Sequence, residues 1–205
     1  MPGTNLTRDE AQQRSKLLTV HSYEIDLDLS GAQDGGTYPS RTRVRFDSAE
    51  AGAESFIDLV APAVHEVVLN GEALEVATVF ANSRITLPGL RAGANELTVT
   101  ADCAYTNTGE GLHRFVDPVD QQAYLYSQFE VPYARQVFAS FEQPDLKATF
   151  QFTVTAPVGW TVISNSATPT PQPTKGLNDT EATVWAFAPT PRISSYITAL
   201  IAGPY

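Results

Sequence analysis

The sequence predicts a mainly β domain: an antiparallel β-sandwich, or a related curved antiparallel assembly, behind a short N-terminal helix. Three observations carry this. Polar and apolar residues alternate in many short runs from residue 20 onward, the period of half-buried strands. Most of the 14 prolines fall between those runs, where they end a strand without breaking a ladder. Turn signals, Asn70-Gly71 above all, separate neighbouring runs. At 205 residues and 42% hydrophobic, the chain has ample apolar material for one core, and all-β units of ~200–250 residues are common. Residues 1–205 therefore read as one domain, with no internal repeat and no long linker.

Residues 1–18 read as the helix. Thr7 and Glu10 have capping-box spacing and good helix formers follow. Ala11, Leu17 and Leu18 offer an apolar face. The period then changes to two. Tyr23, Ile25, Leu27 and Leu29 alternate with Glu24, Asp26 and Asp28. After a loop with Gly31, Gly35, Gly36 and Pro39, Arg41, Arg43 and Arg45 alternate with Thr42, Val44 and Phe46. The acidic row and the arginine row either pair across neighbouring strands, at ~0.2–1 kcal/mol per pair, or form two separately solvated faces. Phe56, Asp58 and Val60 belong to the next strand. Residues 64–69 run into Asn70-Gly71, whose two turn positions need φ > 0, and 72–79 form the return arm. Short strands follow at 84–87, 95–101, 148–155, 160–164, 183–187 and 195–201, rich in β-branched or aromatic residues. Residues 169–175, with three prolines, read as an exposed loop.

Lys plus Arg total 13 and Asp plus Glu 23, a net charge of −10. Such a chain repels phosphate backbones, so nucleic acid is not an expected partner. No apolar run reaches the ~18–20 residues of a membrane span, so no membrane partner is expected either. Residues 1–19 carry Arg8, Asp9, Glu10, Arg14 and Lys16 and lack the apolar stretch of a secretory signal. Cys103 is the single cysteine. It excludes an internal disulfide framework and a Cys-based zinc cluster, and a reducing, cytoplasmic setting is expected. The three histidines, at 21, 65 and 113, show no His-x-x-x-His spacing.

One stretch, 107–147, departs from simple alternation and mixes polar residues, aromatics, Gly and Pro. A loop-rich stretch in a regular β domain is where a site is expected. In and just beyond it stand Gln128, Phe129, Glu130, Ala134, Arg135, Phe138, Phe141, Pro144, Lys147, Ala148 and Phe150. This spacing resembles Gln-Phe-Glu-x-x-x-Ala-Arg-x-x-Phe-x-x-Phe-Asp-Glu-Pro-x-x-Lys-Ala-x-Phe, a segment of the N-terminal domain of the zinc-dependent aminopeptidase N family (gluzincin aminopeptidases). Ser127 stands where that family has Thr, and Glu142-Gln143 where it has Asp-Glu. Gly111 with Arg114, and the run 191–203, match the flanks, with Arg192-Ile193 in place of Pro-Met. The helix followed by Ser22-Tyr23-Glu24-Ile25 is similar to bacterial, actinobacterial-like members.

The resemblance implies the saddle-like N-terminal β domain of a larger enzyme that removes N-terminal residues from peptides. It implies a catalytic domain after residue 205, with a Gly-x-Met-Glu-Asn strand and an H-E-x-x-H helix that holds zinc. Neither motif occurs in 1–205. No catalytic residue and no metal ligand is therefore expected in this chain, which alone should cleave nothing. The resemblance also implies that this domain caps the active-site cleft and that Gln128 and Glu130 bind substrate. Glu130 would anchor the α-ammonium, and Gln128 would line the S1 wall and either accept from the amine or contact the side chain. Their i, i+2 spacing puts both on one face of an extended segment. Without the resemblance, Glu130 reads as a surface carboxylate and Gln128 as a loop amide.

Arg135 and Lys147 read as structural, pairing with Glu142 or nearby carboxylates. Phe138 and Phe141 read as packing, Phe129 as packing or substrate contact, His113 as a hydrogen-bonded loop residue, and Cys103 as a small buried hydrophobe. The alternatives to a peptidase domain are two. One is a β-sandwich binding module that uses Trp160, Trp185 and the tyrosines as a stacking platform. The other is a scaffold of this fold without peptidase chemistry. Exposure of the aromatics in a row, against separate burial, discriminates the first.

Overall fold

A computed structural model describes residues 5–205. The predicted helix over 1–18 is α1 (Arg8–Leu17), and residues 1–4 of that span lie outside the described residues. Fifteen strands follow among the described residues. In chain order they are β1 (Leu18–Asp28), β2 (Thr37–Ser48), β3 (Ser55–Asp58), β4 (Ala63–Leu69) and β5 (Glu72–Leu74). After α2 (Val76–Val79) come β6 (Phe80–Ala81), β7 (Arg84–Leu87), β8 (Gly93–Ala104), β9 (Gly111–Val116) and β10 (Ala123–Gln128). The last five are β11 (Thr149–Pro157), β12 (Thr161–Ser164), β13 (Gln172–Lys175), β14 (Glu181–Ala186) and β15 (Leu200–Gly203).

These strands make three sheets. Eight stand in the order β13-β14-β11-β1-β2-β8-β4-β5, four in the order β12-β15-β10-β9, and three in the order β3-β7-β6. Pairing is antiparallel except between β1 and β11, which run parallel at the centre of the large sheet. Inward residues of all three sheets merge into one core. At its centre Tyr23 stacks on Phe150 with centroids 4.7 Å apart, and the Phe138 ring sits edge-on to Tyr23, Phe129, Phe150 and Phe152. Edge-to-face rings add about 0.5–1.5 kcal/mol each beyond their buried area.

Local chemistry explains most elements. Thr7 Oγ1 accepts the Glu10 N–H at 3.3 Å, and the Glu10 carboxylate accepts the Thr7 N–H at 2.8 Å, the capping box read from the sequence. Asn70 and Gly71 both have positive φ and close the β4–β5 hairpin. On the outer face of the large sheet the two charged rows do pair across strands. Asp26 meets Arg41 at 3.2 Å, Glu24 meets both Arg43 and Arg45, and Arg45 meets Glu96 at 3.0 Å. His21 and His65 join this face, 2.9 Å from Asp47 and 2.8 Å from Asp102.

Several elements differ from the sequence reading: β2 takes in Pro39, β3 ends short of Val60, and β9 and β10 lie within the stretch 107–147. The return arm over 72–79 ends at Leu74, because the Glu75 side chain accepts the Ala77 N–H and starts the turn of α2. Residues 172–175 form β13 rather than loop. Pro173 is tolerated there because β13 is an edge strand. Over 195–201 only Leu200 and Ile201 are strand, since Ser195–Ile197 make a tight 3-10 turn first.

The helix docks in an unforeseen way. Its apolar residues Ala11 and Leu17 are only half-buried, while Arg14 is 2% exposed. The Arg14 guanidinium lies 4.7 Å from the Phe56 ring centroid, donates from Nε to Gln143 Oε1 at 3.0 Å, and meets Asp58 Oδ2 at 3.2 Å. Asp58 is 1% exposed. Removing one partner from such a buried pair leaves the other charged and desolvated. Arg14→Ala is therefore expected to lower the unfolding free energy by about 3–5 kcal/mol, read as an earlier urea midpoint at unchanged slope. A midpoint within experimental error of the parent's refutes this account.

Candidate functional site

The stretch 107–147 holds β9, β10 and the irregular chain that follows. Along β10, Ala123 and Leu125 are buried while Tyr124, Tyr126 and Gln128 take the opposite face. Gln128 ends the strand, opposite Gly111 of β9. Gly111 has φ +64°, and a Cβ there would stand 2.6 Å from Gln136 Oε1. Only glycine suits both the backbone and the close approach of the 3-10 turn Ala134–Gln136.

After Gln128 the alternation continues for two residues. Phe129 is buried against Phe138 at 5.9 Å between centroids, so of its two readings it is packing. Glu130 is exposed and opens a turn in which its carbonyl accepts the Tyr133 N–H at 3.2 Å; the Val131–Pro132 peptide inside the turn is cis. Gln128 and Glu130 thus lie on either side of a buried anchor, both directed away from the core. Gln128 Oε1 is shielded and has no hydrogen-bond partner. The Glu130 carboxylate is open.

Two further groups join them that the sequence reading did not single out. The Tyr133 phenol is pushed up by its hydrogen bond to Glu110, then by burial and by the charges of Glu110 and Glu130. Glu110 and Glu130 therefore both lie near the Tyr133 phenol, and Gln128 stands opposite Gly111, the residue after Glu110. The signal for Glu110 was its place in Gly109-Glu110-Gly111, a bend that returns the chain to β9. The region offers carboxylate and amide acceptors, the equipment for binding an ammonium.

The chain behind this rim is buried although irregular, and side chains satisfy its backbone. Ser40 Oγ donates to Val137 O at 2.8 Å, Thr42 Oγ1 accepts the Ala139 N–H at 3.2 Å, and the Tyr23 hydroxyl accepts the Phe141 N–H at 3.1 Å. Ser140 and Asp58 exchange two backbone hydrogen bonds, and Val60 N–H donates to Arg135 O at 2.7 Å. Arg135 is buried, with Nη1 3.8 Å from Asp58 Oδ1, which makes Asp58 its nearby carboxylate. Lys147 is exposed, and its carbonyl accepts from Arg192 at 2.6 Å. Phe138 and Phe141 are core residues. His113 Nδ1 accepts the Gly109 N–H at 3.0 Å, and its ring lies 4.7 Å from that of Tyr126. Cys103 is fully buried. Trp160 and Trp185 are buried separately and form no platform, while Tyr126, Tyr196 and Tyr205 are exposed. Among the described residues, no group of three His, Cys, Asp or Glu is gathered to hold a metal ion, and no helix is long and apolar enough to cross a membrane.

Glu142 is 3% exposed, and neither carboxylate oxygen makes a hydrogen bond of normal geometry. Burial, reinforced by the Asp58 charge, lifts its pKa to about 7; the nearby Ser140 and Ser195 hydroxyls and the Arg135 charge only moderate this. A carboxyl that holds its proton more tightly when folded destabilises the fold as pH rises through the interval between its unfolded and folded values. From about pH 4.5 to about 7, stability is expected to fall by on the order of 2–3 kcal/mol. Asp58, also raised by burial, acts with the same sign. Glu10, held down to about 2 first by its hydrogen bond from Arg84, acts only below this window. Glu142→Gln should flatten the decline in a series of urea titrations from pH 4.5 to 7.5, and an undiminished slope argues against Glu142 as its source.

The description "Peptidase M1 N-terminal domain" matches residues 23–197. The chain is 75% identical over its whole length to Aminopeptidase N of Streptomyces lividans, of which it spans 23%. It is 32% identical over 145 residues to Aminopeptidase N of Acetobacter pasteurianus, covering 68% of this chain and 38% of that one. It is 29% identical over 209 residues to Probable M1 family aminopeptidase 1 of Encephalitozoon cuniculi, covering 96% of this chain and 23% of that one.

Proposed function

Since the chain belongs to the peptidase M1 N-terminal domain family, we propose that it is the amine-reading domain of a larger zinc aminopeptidase that trims residues from peptide N-termini. The observation that carries this reading is the rim itself. Glu130 stands open on one side of the buried Phe129, and on the other the shielded amide oxygen of Gln128 has no partner. An aminopeptidase must tell a terminal ammonium from an internal peptide nitrogen. The first carries a charge and three donors, the second one neutral N–H. A carboxylate makes charge-assisted hydrogen bonds to the ammonium alone. In this reading Glu130 is the anchor, Gln128 accepts a further N–H or borders the S1 side chain, and the domain caps the cleft.

The residues described here do not make a zinc site. The proposal assigns the zinc ligands and the hydrolytic groups to the parent chain outside these 205 residues, and gives the isolated chain no peptidase activity. The single thiol is buried and unpaired, which suits a reducing compartment, and the reading places the enzyme and its peptide substrates in the cytoplasm.

Two experiments test this. Reading the parent gene past the codon for Tyr205 should reveal Gly-x-Met-Glu-Asn and H-E-x-x-H, and their absence removes the hydrolase reading. In the full-length parent, Glu130→Ala should lower kcat/KM on free-amine substrates by about one to three orders of magnitude, the scale of a lost charge-assisted anchor. Gln128→Ala should cost about tenfold, the low end for a hydrogen bond to a charged group. An unchanged kcat/KM in either variant removes that residue from the site.

A further inference from the structure

We infer that the cavity behind the turn opened by Glu130 is a binding site for a small aliphatic primary ammonium, held by Asp58 and Glu142. The cavity measures about 310 Å³, at the small end of ligand pockets. Val131 and Pro132 of the turn line it, as does Pro144. So do Asp58, Arg135 and Glu142, although none of the three is more than 3% exposed. Buried carboxylate oxygens ordinarily have hydrogen-bond partners. Here both Glu142 oxygens and Asp58 Oδ1 have none. A mainly apolar wall with a few converging polar groups is the form of a ligand site. Because Val131 and Pro132 directly follow Glu130, an occupant braces the turn that carries it. The inference makes no use of the peptidase reading.

Acceptors and charge identify the ligand. Three unpartnered acceptors match the three N–H donors of an R–NH3+ group. They are too few for a hard metal cation, which takes about six to eight oxygens. The valine and proline walls suit an aliphatic body. Arg14 from α1, Arg84 from β7 and Arg135 from the 3-10 turn surround Asp58, and Glu10 pairs with Arg84. With Glu142 ionised, these three cations face three carboxylates, Asp58, Glu10 and Glu142. A proton on Glu142 leaves one positive charge in excess, and so does an ammonium beside an ionised Glu142. Exchanging one for the other therefore buries no additional net charge. Tyr23 from β1 also faces Glu142, and burial raises its phenol so that it stays neutral. The nearby Ser140 and Ser195 hydroxyls carry no charge. The ammonium thus competes with the proton that burial holds on Glu142 up to about pH 7, and the displaced proton passes to solvent.

A pH titration of the Glu142 side-chain carboxyl resonance by NMR tests this. The sample is the 205-residue chain, whose three sheets share one core, and the probe is n-butylammonium chloride. Tetramethylammonium chloride at equal ionic strength is the control, a cation with no N–H to donate. With n-butylammonium at ten times the dissociation constant measured above pH 8, the Glu142 midpoint is expected to move down by about one pH unit. Tetramethylammonium is expected to leave it in place. A midpoint that n-butylammonium does not move, or that both cations move equally, overturns the inference. Because this readout uses the unsubstituted chain, it does not depend on how a variant folds. Glu142→Gln is expected to abolish the saturable change that n-butylammonium causes at the Val131 amide, and persistence of that change places the cation elsewhere and equally overturns the inference. Leucine separates simple amines from amino acids as the source of the ammonium. An equal movement of the midpoint extends the site to free amino acids, and none restricts it to amines without a carboxylate; in either case the ammonium site stands.

Discussion

A buried stretch of chain with no regular structure must find a partner for every N–H and C=O it carries, since an unpaired group away from water costs about 1–3 kcal/mol. Residues 134–144, irregular beyond the 3-10 turn Ala134–Gln136 and largely buried up to the exposed Pro144, are such a stretch, and the surrounding fold is arranged to satisfy them. Tyr23, Ser40 and Thr42 supply hydroxyls from the large sheet. Asp58 at the end of β3 and Val60 just after it supply backbone groups. Gln143 donates to Ala11 O and so ties the same stretch to α1, and Ser194 donates to Pro144 O from near the C-terminus. The stretch is the hub through which elements remote in sequence are joined. Its rigidity holds Phe129 in the core and the two polar residues beside it at the rim.

Charge is handled in two opposite ways. On the outer face of the large sheet the ion pairs are solvated, and each contributes little, about 0–1 kcal/mol; their effect is to keep that face wet and its strands in register. Around Asp58 the same residue types are buried. Arg14, Arg84 and Arg135 converge there from α1, β7 and the segment after β10. Charges so desolvated are unfavourable singly and tolerable together, so the cluster acts as a specificity device: the helix, the three-stranded sheet and the 134–144 stretch are compatible only in this arrangement. Glu142 lies buried at the margin of the cluster without a good hydrogen bond, and its burial is why its proton is held so firmly.

Legibility in the sequence followed the range of the interaction. Thr7 with Glu10, Asn70-Gly71, and the alternation at 23–29 and 41–46 are decided within a few residues, and the structure agrees with each. Glu75 and Pro173 were misread because each was weighed by the pattern around it; a side-chain cap and an edge position decide these sites instead. The burial of Arg14 was invisible, since its partners stand at positions 56, 58 and 143. At the rim, Gln128 and Glu130 came from a motif resemblance. Glu110 and Tyr133 came only from the geometry, because nothing in spacing joins position 110 to position 133.

The parallel pair at the centre of the large sheet bears on how the chain is made. Ser22 lies beside Thr149 and Asp28 beside Thr155, a separation of 149 − 22 = 127 residues. During synthesis β1 and β2 can meet almost at once, but the other edge of β1 stays unpaired until the three-stranded sheet, β8 to β10 and the hub segment have left the ribosome. Closing so long a loop is entropically costly and places the domain among slow, high-contact-order folders. For that interval an apolar strand carrying Tyr23, Ile25 and Leu27 has an open ladder, the kind of edge that recruits other chains. The nascent domain is therefore most exposed to misassociation just before β11 arrives, and chaperone demand should concentrate at that length of chain.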